Sequence, residues 1–453
     1  MILEKITSEG IAHNSYLLGS RNEAAVIDPR RDGEVYVQRA RALGLKITSI
    51  FETHRNEDYV IGSMDLSRIT GASIFHGTHL AFSYGTGVSE GDVVPLGSLE
   101  ITVLETPGHT EESISLAVRE RDVSDEVLMI FTGDALFAGD VGRTDFYPLQ
   151  KEGMAGKLHA SIWTKILSLG DGVVIYPAHG EGSSCGEAIS DREITTVGYE
   201  KKANPLLRMN RKEFIDYKVR EHHYTPPYFR KMEELNIRGA PLLTGIPLLR
   251  PLSPTEIRDY RAAGAQIVDI RAPTSFGGGF IPGSISIWRE GLATFIGWML
   301  TYQDPIILID DFNLDLDRVT RQFLRLGYDN LLGYCAGGFP AWFKAGFEME
   351  VIEQWTPPMI HERLDPSLYL LDVRSIGNWN TMGHIKGAHH CWVGELRDHL
   401  DEIPKDRLVV AYCDAGYKGN MAASLLRKEG YPRVVNLLGG MAAWKQYRYE
   451  IIR

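Results

Sequence analysis

The chain has 453 residues, of which 44% are hydrophobic and 24% charged, and its formal net charge at pH 7 is −11. This length suits two to four folded domains, and the acidic balance argues against nucleic acid as a partner. Because the sequence has no run of about 18 uncharged apolar residues, we expect no membrane partner and predict a cytoplasmic protein, with a homo-oligomer left open.

The N-terminal part of the chain alternates short apolar runs with glycine-rich turns. This pattern predicts strands at residues 24–27, 47–51, 73–76, 99–104, 127–131 and 173–176. Basic residues and prolines follow at 199–250, which predicts a helical extension and a crossing into the next domain. We therefore assign residues 1–248 to one domain with a C-terminal helical extension.

Candidate metal ligands follow four of these predicted strands. His54, His109, Asp134 and His179 each lie a few residues beyond the end of a strand. Side chains in such positions converge on one rim of the sheet, which holds them rigidly. The pattern predicts a metal site there.

These segments resemble the motifs of the metallo-β-lactamase superfamily. Residues 53–59 stand where that family has T-H-x-H-x-D-H, and T-P-G-H and T-G-D follow at 106–109 and 132–134. The resemblance implies an αββα sandwich. Asn56 and Tyr59 replace two histidines of the family motif, so a two-zinc site would lose one ligand from each metal. A dinuclear hydrolase is therefore disfavoured.

The surviving ligand set is His54, His109 and Asp134. Two histidines and one carboxylate suit a non-haem Fe(II) oxygenase, because they leave coordination positions for substrate and oxygen. The set and the run 142–146 are similar to the persulfide dioxygenase branch of the superfamily. That resemblance implies one Fe(II) per chain, with zinc as a substitute, and we assign Arg143 to substrate binding. The alternative is a decayed site whose histidines are ordinary packed or surface residues.

Three further residues are expected near this pocket. We place Asp58 and His179 behind the ligands, where they would orient ligands or substrate. Cys185 follows His179 in a glycine-rich loop, and this segment resembles bacterial fusions of a persulfide dioxygenase with a rhodanese pair, in which the corresponding cysteine lies near the iron. We predict that Cys185 is catalytic; the alternative is a small buried side chain, the usual state of a free cysteine.

An internal repeat occupies the rest of the chain. Residues 267–271 recur as 370–374, 279–283 as 383–387 and 337–342 as 439–444, at offsets of 103, 104 and 102. Near-constant offsets indicate two copies of one domain, which we place at 249–352 and 353–453. Each copy alternates apolar strands with amphipathic helices, which predicts an α/β domain with a mostly parallel sheet.

The second copy carries a nucleophile loop. A predicted strand at 408–412 runs into Cys413, and a helix follows at 421–428. Backbone N–H groups of such a loop stabilise a thiolate and can hold a persulfide on it. The loop residues that we assign to catalysis or substrate binding beside Cys413 are Asp414, Gly416, Lys418 and Gly419, with Lys418 supplying positive charge for an anionic sulfur donor or acceptor.

The C-x-x-G-x-K loop at 413–418, with 371–374 and 438–444, resembles the rhodanese family, which implies sulfur transfer through Cys413. The loop departs from the family at Gly419, where Ser or Thr is frequent. In the first copy the matching strand runs into Asp310, so this copy is predicted to be inactive. Cys335 aligns with Leu437 of the second copy and is predicted to lie in the core.

Together these features predict an enzyme that oxidises a low-molecular-weight persulfide to sulfite with O2 and transfers sulfur between persulfide, sulfite and thiosulfate at Cys413. One alternative for the front domain is a thioester hydrolase resembling glyoxalase II. A third interpretation is a metal-free binding module that serves the rhodanese. The sequence determines neither the carrier thiol nor the direction of sulfur transfer.

Overall fold

A computed structural model describes residues 1–183, 185–186, 188–192, 194–365 and 367–453. The chain forms two compact units: Met1–Ile246 with Leu324–Gly327, and Pro247–Phe323 with Tyr328–Arg453. Apart from Leu324–Gly327, both copies of the repeat lie in the second unit, and the predicted boundaries at 248/249 and 352/353 stay predictions. Within the described ranges, no helix has the length and apolar character needed to cross a bilayer.

Two six-stranded sheets form the centre of the first unit, with orders β1-β2-β3-β4-β5-β6 and β12-β11-β10-β9-β8-β7. The strands of the first sheet are β1 (Ile2–Ser8), β2 (His13–Ser20), β3 (Glu23–Ile27), β4 (Lys46–Phe51), β5 (Ser73–Gly77) and β6 (Thr86–Val88). The strands of the second are β7 (Val93–Leu96), β8 (Leu99–Glu105), β9 (Ile114–Glu120), β10 (Val127–Gly133), β11 (Val174–Pro177) and β12 (Thr195–Thr196). Six of these strands were not predicted from the sequence: β1, β2, β6, β7, β9 and β12.

Helices cover the outer faces of both sheets. They are α1 (Glu34–Ala42), α2 (Ser63–Thr70), α3 (Lys151–Ala160), α4 (Val197–Ala203), α5 (Arg211–Arg220) and α6 (Phe229–Arg238), with a π-helical segment at Ser161–Ile166 and 3-10 turns at Pro148–Gln150, Leu167–Leu169 and Leu206–Arg208. One apolar core lies between the sheets, a second lies between α1, α2 and the first sheet, and a third lies between the second sheet and the helices after it. These layers confirm the predicted αββα sandwich.

The second unit contains two sheets of identical order, β13-β17-β16-β14-β15 and β18-β22-β21-β19-β20. All strand pairs in them are parallel. The first copy comprises β13 (Arg250–Leu252), α7 (Pro254–Ala262), β14 (Gln266–Asp269), α8 (Pro273–Gly277), β15 (Ile285–Ser286), a 3-10 turn (Arg289–Gly291), α9 (Leu292–Met299), β16 (Ile306–Ile309), α10 (Leu316–Arg325), β17 (Leu331–Cys335) and α11 (Gly338–Lys344).

The second copy repeats this plan. It comprises β18 (Gln354–Trp355), α12 (Pro357–His361), β19 (Leu368–Asp372), α13 (Ile376–Met382), β20 (His389–His390), a 3-10 segment (Leu396–Glu402), β21 (Leu408–Tyr412), α14 (Tyr417–Lys428), β22 (Val434–Leu437) and α15 (Gly440–Gln446). The duplication extends to single contacts: Arg271 pairs with Asp269 and donates to the carbonyl of Gly279. Arg374 makes the matching contacts with Asp372 and the carbonyl of Gly383. The predicted pair of parallel-sheet α/β domains is confirmed.

Candidate metal centre and sulfur-transfer loop

The loops after β4, β8 and β10 bring His54, His109 and Asp134 together. Asp134 Oδ2 lies 3.5 Å from His109 Nε2 and 3.9 Å from His54 Nε2. All three side chains are buried. The rim on which the sequence placed them is therefore a buried cluster of polar side chains, which we call the pocket.

Hydrogen bonds behind the pocket fix the tautomer of His54. The hydroxyl of Thr53 donates to Asp28 Oδ2 at 2.8 Å and lies 2.9 Å from His54 Nδ1. Because that hydroxyl donates its proton to Asp28, its oxygen accepts one from Nδ1, which leaves the lone pair on Nε2 to face the pocket. The Thr53 amide also donates to Asp28, at 2.7 Å. Burial raises the pKa of Asp28 to about 6.

A backbone carbonyl orients His109 in the same way. His109 Nδ1 lies 3.0 Å from the carbonyl oxygen of Arg143 and donates to it. In its neutral form, His109 therefore presents the lone pair of Nε2 to the pocket, as a metal ligand requires.

His179 joins two carboxylates. Its Nδ1 lies 2.8 Å from Asp134 Oδ1 and its Nε2 lies 2.8 Å from Asp58 Oδ2. Burial lowers the pKa of His179, but Asp134 and Asp58 outweigh burial and raise the pKa well above its ordinary value. Burial likewise raises the pKa of Asp134, but His179 and His54 hold it well below its usual range. His179 therefore keeps Asp134 ionised and leaves Oδ2 directed at the histidines.

The donor set fits a metal ion. His54 Nε2, His109 Nε2 and Asp134 Oδ2 are buried and, among the described residues, have no hydrogen-bond partner. Buried polar atoms are normally paired, so a cluster of unpaired nitrogen and oxygen atoms that face one another indicates a site for a metal ion. Two imidazoles and a carboxylate match Fe(II), with Zn²⁺ as an alternative.

Asn56 and Tyr59, which replace two histidines of the family motif, make structural contacts of their own. Asn56 has a left-handed backbone, with φ 46°, and its side-chain amide donates to the carbonyl of His54 at 2.9 Å. Tyr59 is buried, packs on His13 with ring centroids 4.0 Å apart, and its hydroxyl is 3.5 Å from the carbonyl of Asp28. Neither side chain replaces the imidazole of a two-metal site.

Arg143, which the sequence assigned to substrate binding, is buried and engaged within the protein. Its guanidinium forms two hydrogen bonds with Asp145, at 2.7 and 2.8 Å, and one of 3.1 Å with Thr225 Oγ1. It also lies over the ring of Phe146, 4.7 Å from the centroid. These contacts favour a role in holding the His109 loop, and direct contact with substrate stays a prediction.

Cys185 lies beside the pocket. Its Sγ is within 4.8 Å of candidate ligand atoms of Asp58 and His179, and also of His109 and Asp134. Its thiol is buried and packs with Phe137 in a small apolar cluster. Burial, followed by the nearby carboxylates, raises the pKa of Cys185 well above its ordinary value. The position of Cys185 near the candidate ligands agrees with a catalytic thiol, and its packing agrees with a small buried side chain. A covalent role for Cys185 stays a prediction.

Three residues that shape this pocket were not predicted from the sequence: Glu57, Asp28 and Thr53. Glu57 lies inside the degenerate motif and is fully buried, with its carboxylate 3.4 Å from His109 Nε2. Asp28 and Thr53 orient His54 from behind. Glu57 could have been noticed as an acidic residue next to the altered Asn56, whereas no local pattern points to Asp28.

In the second unit, Cys413 follows β21 and is buried at the N-terminus of α14. The Gly416 amide donates to its Sγ at 3.2 Å. Gly416 has φ 90°, a left-handed conformation that turns the loop so that its amide faces the sulfur. A backbone N–H in this position can stabilise negative charge on the sulfur of Cys413.

The other assigned loop residues have distinct positions. Lys418 Nζ lies 2.8 Å from Asp414 Oδ2, so much of its charge is balanced within the loop. The Asn378 amide donates to Asp414 Oδ1 at 3.1 Å. A Cβ at Gly419 would lie 2.5 Å from Asn436 Oδ1, which explains why this loop has glycine where the family often has Ser or Thr.

The first copy preserves the loop frame without a nucleophile. Phe339 N donates to the carbonyl of Asp310 at 2.8 Å, as Met441 N donates to that of Cys413 at 2.8 Å. Asp310 thus occupies the nucleophile position, and its side chain pairs with Arg289 at 2.9 Å. Cys335 is buried in the apolar core of this copy, as predicted.

The fold and its two sites define a metallo-hydrolase-type domain joined to sulfurtransferase-type domains. Comparison with known families agrees: the metallo-beta-lactamase superfamily matches residues 9–179, and the rhodanese-like domain matches 253–345 and 356–447. The chain belongs to the metallo-β-lactamase superfamily and carries two rhodanese-like domains.

Two curated relatives match the front part of the chain. Hydroxyacylglutathione hydrolase GloC of Haemophilus influenzae is 30% identical over 215 residues, which are 43% of this chain and 91% of GloC. Mitochondrial persulfide dioxygenase ETHE1 of Mus musculus is 31% identical over 214 residues, which are 44% of this chain and 74% of ETHE1. A crystal structure of a metallo-beta-lactamase from Staphylococcus aureus subsp. aureus COL has a TM-score of 0.67 and 30% identity, and the match covers 74% of this chain and 99% of that chain.

Proposed function

We propose that the first unit is an Fe(II)-dependent persulfide dioxygenase that converts a low-molecular-weight thiol persulfide to sulfite. The reaction is RSSH + O2 + H2O → RSH + SO3²⁻ + 2 H⁺, in which the outer sulfur is oxidised and O2 is reduced. The observation that carries this proposal is the cluster of three buried, unpaired ligand atoms on His54, His109 and Asp134. One iron per chain would occupy this cluster.

In this proposal the protein's own groups hold and orient the site. Thr53 and the carbonyl of Arg143 keep both imidazoles in the ligand tautomer, and His179 aims Asp134. When bound, Fe(II) supplies the redox chemistry that lets O2 react with a sulfur atom. Cys185 lines the same pocket from its buried position.

A competing function is thioester hydrolysis, because the hydrolase GloC is about as similar to this chain as ETHE1 is. Sequence identity therefore does not decide between the two. The geometry favours the dioxygenase: Asn56 and Tyr59 provide no imidazole, and Asp58 and His179 are hydrogen-bonded to each other. A second metal would have to break that contact. A metal-free binding module is disfavoured because it would leave the three ligand atoms buried and unpaired.

We further propose that Cys413 carries a sulfane sulfur as an enzyme persulfide. In one direction its outer sulfur passes to sulfite: Cys413–S–S⁻ + SO3²⁻ → Cys413–S⁻ + S2O3²⁻. The Gly416 amide supports the thiolate that leaves. In the reverse direction, thiosulfate would load Cys413 and so supply persulfide sulfur. Sulfite is the shared intermediate that gives the fusion of the modules at 1–248, 249–352 and 353–453 a chemical purpose.

Metal analysis of the full chain, purified without oxygen and without added metal, tests the proposal. We expect one iron per chain, persulfide-dependent oxygen uptake and sulfite as the product. His109→Ala should lose both iron and oxygen uptake. Two zinc ions per chain with thioester hydrolysis would establish the competing function. If the wild-type chain binds no metal, the metal-free binding module is the interpretation that remains.

A further inference from the structure

Glu57 and Asp134 stand in the same relation to the two candidate histidine ligands. Glu57 Oε2 lies 3.4 Å from His109 Nε2 and 3.9 Å from His54 Nε2. The corresponding distances from Asp134 Oδ2 are 3.5 and 3.9 Å. Suitable atoms of His54, Glu57 and His109 all lie within 4.8 Å of one another. The pocket therefore contains a second carboxylate, Glu57, which lies as close to the two histidines as the predicted ligand Asp134 does.

The carboxylate of Glu57 is buried without hydrogen bonds. Its side chain is 0% exposed, and among the described residues neither oxygen has a hydrogen-bond partner. The nearest guanidinium atom, Arg55 Nε, is 3.7 Å from Oε1, on the carboxylate oxygen that does not face the histidines. A buried carboxylate is strongly unfavourable unless a cation or donors compensate it. A metal ion at the point that both imidazole Nε2 atoms also face would compensate the charge on Oε2.

The spacing of these atoms is that of ligands around a single ion. Ligand atoms bound at about 2.1 Å in neighbouring positions lie about 3.0 to 3.5 Å apart. The shorter two of the four nitrogen–oxygen distances, 3.4 and 3.5 Å, already fall in this range. The longer two, at 3.9 Å, require only a small closure around the ion.

The backbone explains why residue 57 faces the pocket. Asn56 is left-handed, a conformation that asparagine tolerates better than most residues, and its side chain turns back to the carbonyl of His54. The amide of Asn236 on α6 donates to the carbonyls of Asn56 and Tyr59, at 2.7 and 2.8 Å. The loop is thereby held so that Glu57, one residue after the missing histidine, reaches the ligand cluster.

We propose that Glu57 is a fourth protein ligand of the metal, beside His54, His109 and Asp134. This inference rests on the metal site of the proposed function and specifies its ligand set. Two carboxylates balance the charge of a divalent ion. On a six-coordinate ion, four protein ligands leave two positions for exogenous ligands instead of three.

The test compares Glu57→Gln and Glu57→Ala with a matched buried carboxylate, Glu112→Gln. Glu112 is also buried, accepts a hydrogen bond from the Arg55 amide, and belongs to none of the ligand clusters found among the described residues. Fe(II) affinity is measured on the full chain without oxygen, by competition with a chelator. Co(II) is then substituted and its visible absorption recorded, because these bands report the ligand set. Near-ultraviolet circular dichroism checks that each variant is folded.

Loss of Glu57 should weaken Fe(II) binding at least about 10- to 100-fold, the range seen when only a supporting partner of a ligand is removed. It should also change the Co(II) spectrum, whereas Glu112→Gln keeps the wild-type affinity and spectrum. Folded Glu57 variants with wild-type affinity and spectrum would overturn the inference, as would a wild-type chain that binds no metal. Two zinc ions without oxygen uptake would instead contradict the proposed dioxygenase, while the Co(II) spectra still report on Glu57.

Discussion

The side-chain amide of Asn420 donates a hydrogen bond of 2.9 Å to the hydroxyl of Ser286. Asn420 lies on α14, which follows the Cys413 loop of the second copy, and Ser286 lies on β15 of the first copy. The Ser286 amide in turn donates to Ser424 Oγ on the same helix, at 3.0 Å. All three side chains are buried. The first copy therefore holds α14, the helix that follows the Cys413 loop of the second copy.

We predict that Ser286→Ala lowers the rate of sulfur transfer at Cys413. The substitution leaves the buried amide of Asn420 without its acceptor, which should lower the free energy of unfolding by about 1 to 3 kcal/mol and loosen α14. Thiosulfate:cyanide transfer and urea unfolding are measured together. The control is Ser253→Ala, which removes the N-cap of α7 and should cost about 1 kcal/mol without affecting transfer. Equal transfer rates in the two variants would mean that the contact is only structural.

Cys413→Ser should abolish thiosulfate:cyanide transfer, while Cys335→Ser and Cys391→Ser leave it intact. Burial raises the pKa of Cys335 to about 11 and that of Cys391 to about 12. Raised pKa values keep both thiols protonated near neutral pH, and their thiolates form only as the pH approaches those values. Mass spectrometry after incubation with thiosulfate should find added sulfur on Cys413. Substantial activity in the Cys413 variant would contradict the assignment.

Removal of the metal should separate the two activities. We expect that chelation of iron in the absence of oxygen abolishes persulfide-dependent oxygen uptake and leaves sulfur transfer unchanged, because the rhodanese-like domains have their own apolar cores and the Cys413 loop uses a backbone amide. Asp134→Ala should behave in the same way. Loss of sulfur transfer in either sample would indicate that the two reactions depend on one site.

The kinetics of Cys185→Ser distinguish a covalent carrier from a residue that lines the pocket. A carrier would be nearly inactive as serine, whereas loss of a lining thiol should mainly raise KM. The packing of the buried Cys185 thiol against Phe137 favours the second outcome. Oxygen uptake is compared at equal iron content, and persulfide on Cys185 is sought by mass spectrometry. Unchanged kcat and KM, with no persulfide, would leave Cys185 as a packed side chain.

Gly419→Ser, which restores a residue frequent in rhodanese loops, should destabilise the second unit. The new Cβ would lie 2.5 Å from Asn436 Oδ1 and 3.1 Å from Tyr412 Cα. Such overpacking typically costs about 1 to 3 kcal/mol. Gly377→Ala in α13 is the control, because its Cβ meets nothing within 4 Å and alanine favours a helix by about 1 kcal/mol. An unchanged unfolding midpoint for Gly419→Ser would show that the loop adapts.

The sequence by itself determined the fold class, the duplication and most of the chemistry-bearing residues. His54, His109 and Asp134 could be predicted because they follow strands, and a sheet brings strand ends to a common rim whatever the rest of the chain does. Cys413 and Asp310 could be assigned because the repeat offset aligns them. These predictions depend on local patterns that the fold preserves.

The tertiary structure decided which side chains face each other. Glu57 reaches the histidines because Asn236, far along the chain, fixes the backbone around Asn56. The guanidinium of Arg143 is held by hydrogen bonds to Asp145 and to Thr225, which lies 82 residues further along the chain. Ser286 meets Asn420 across 134 residues of sequence. Such contacts depend on backbone direction and on packing between distant segments, and no local pattern of residues encodes either one.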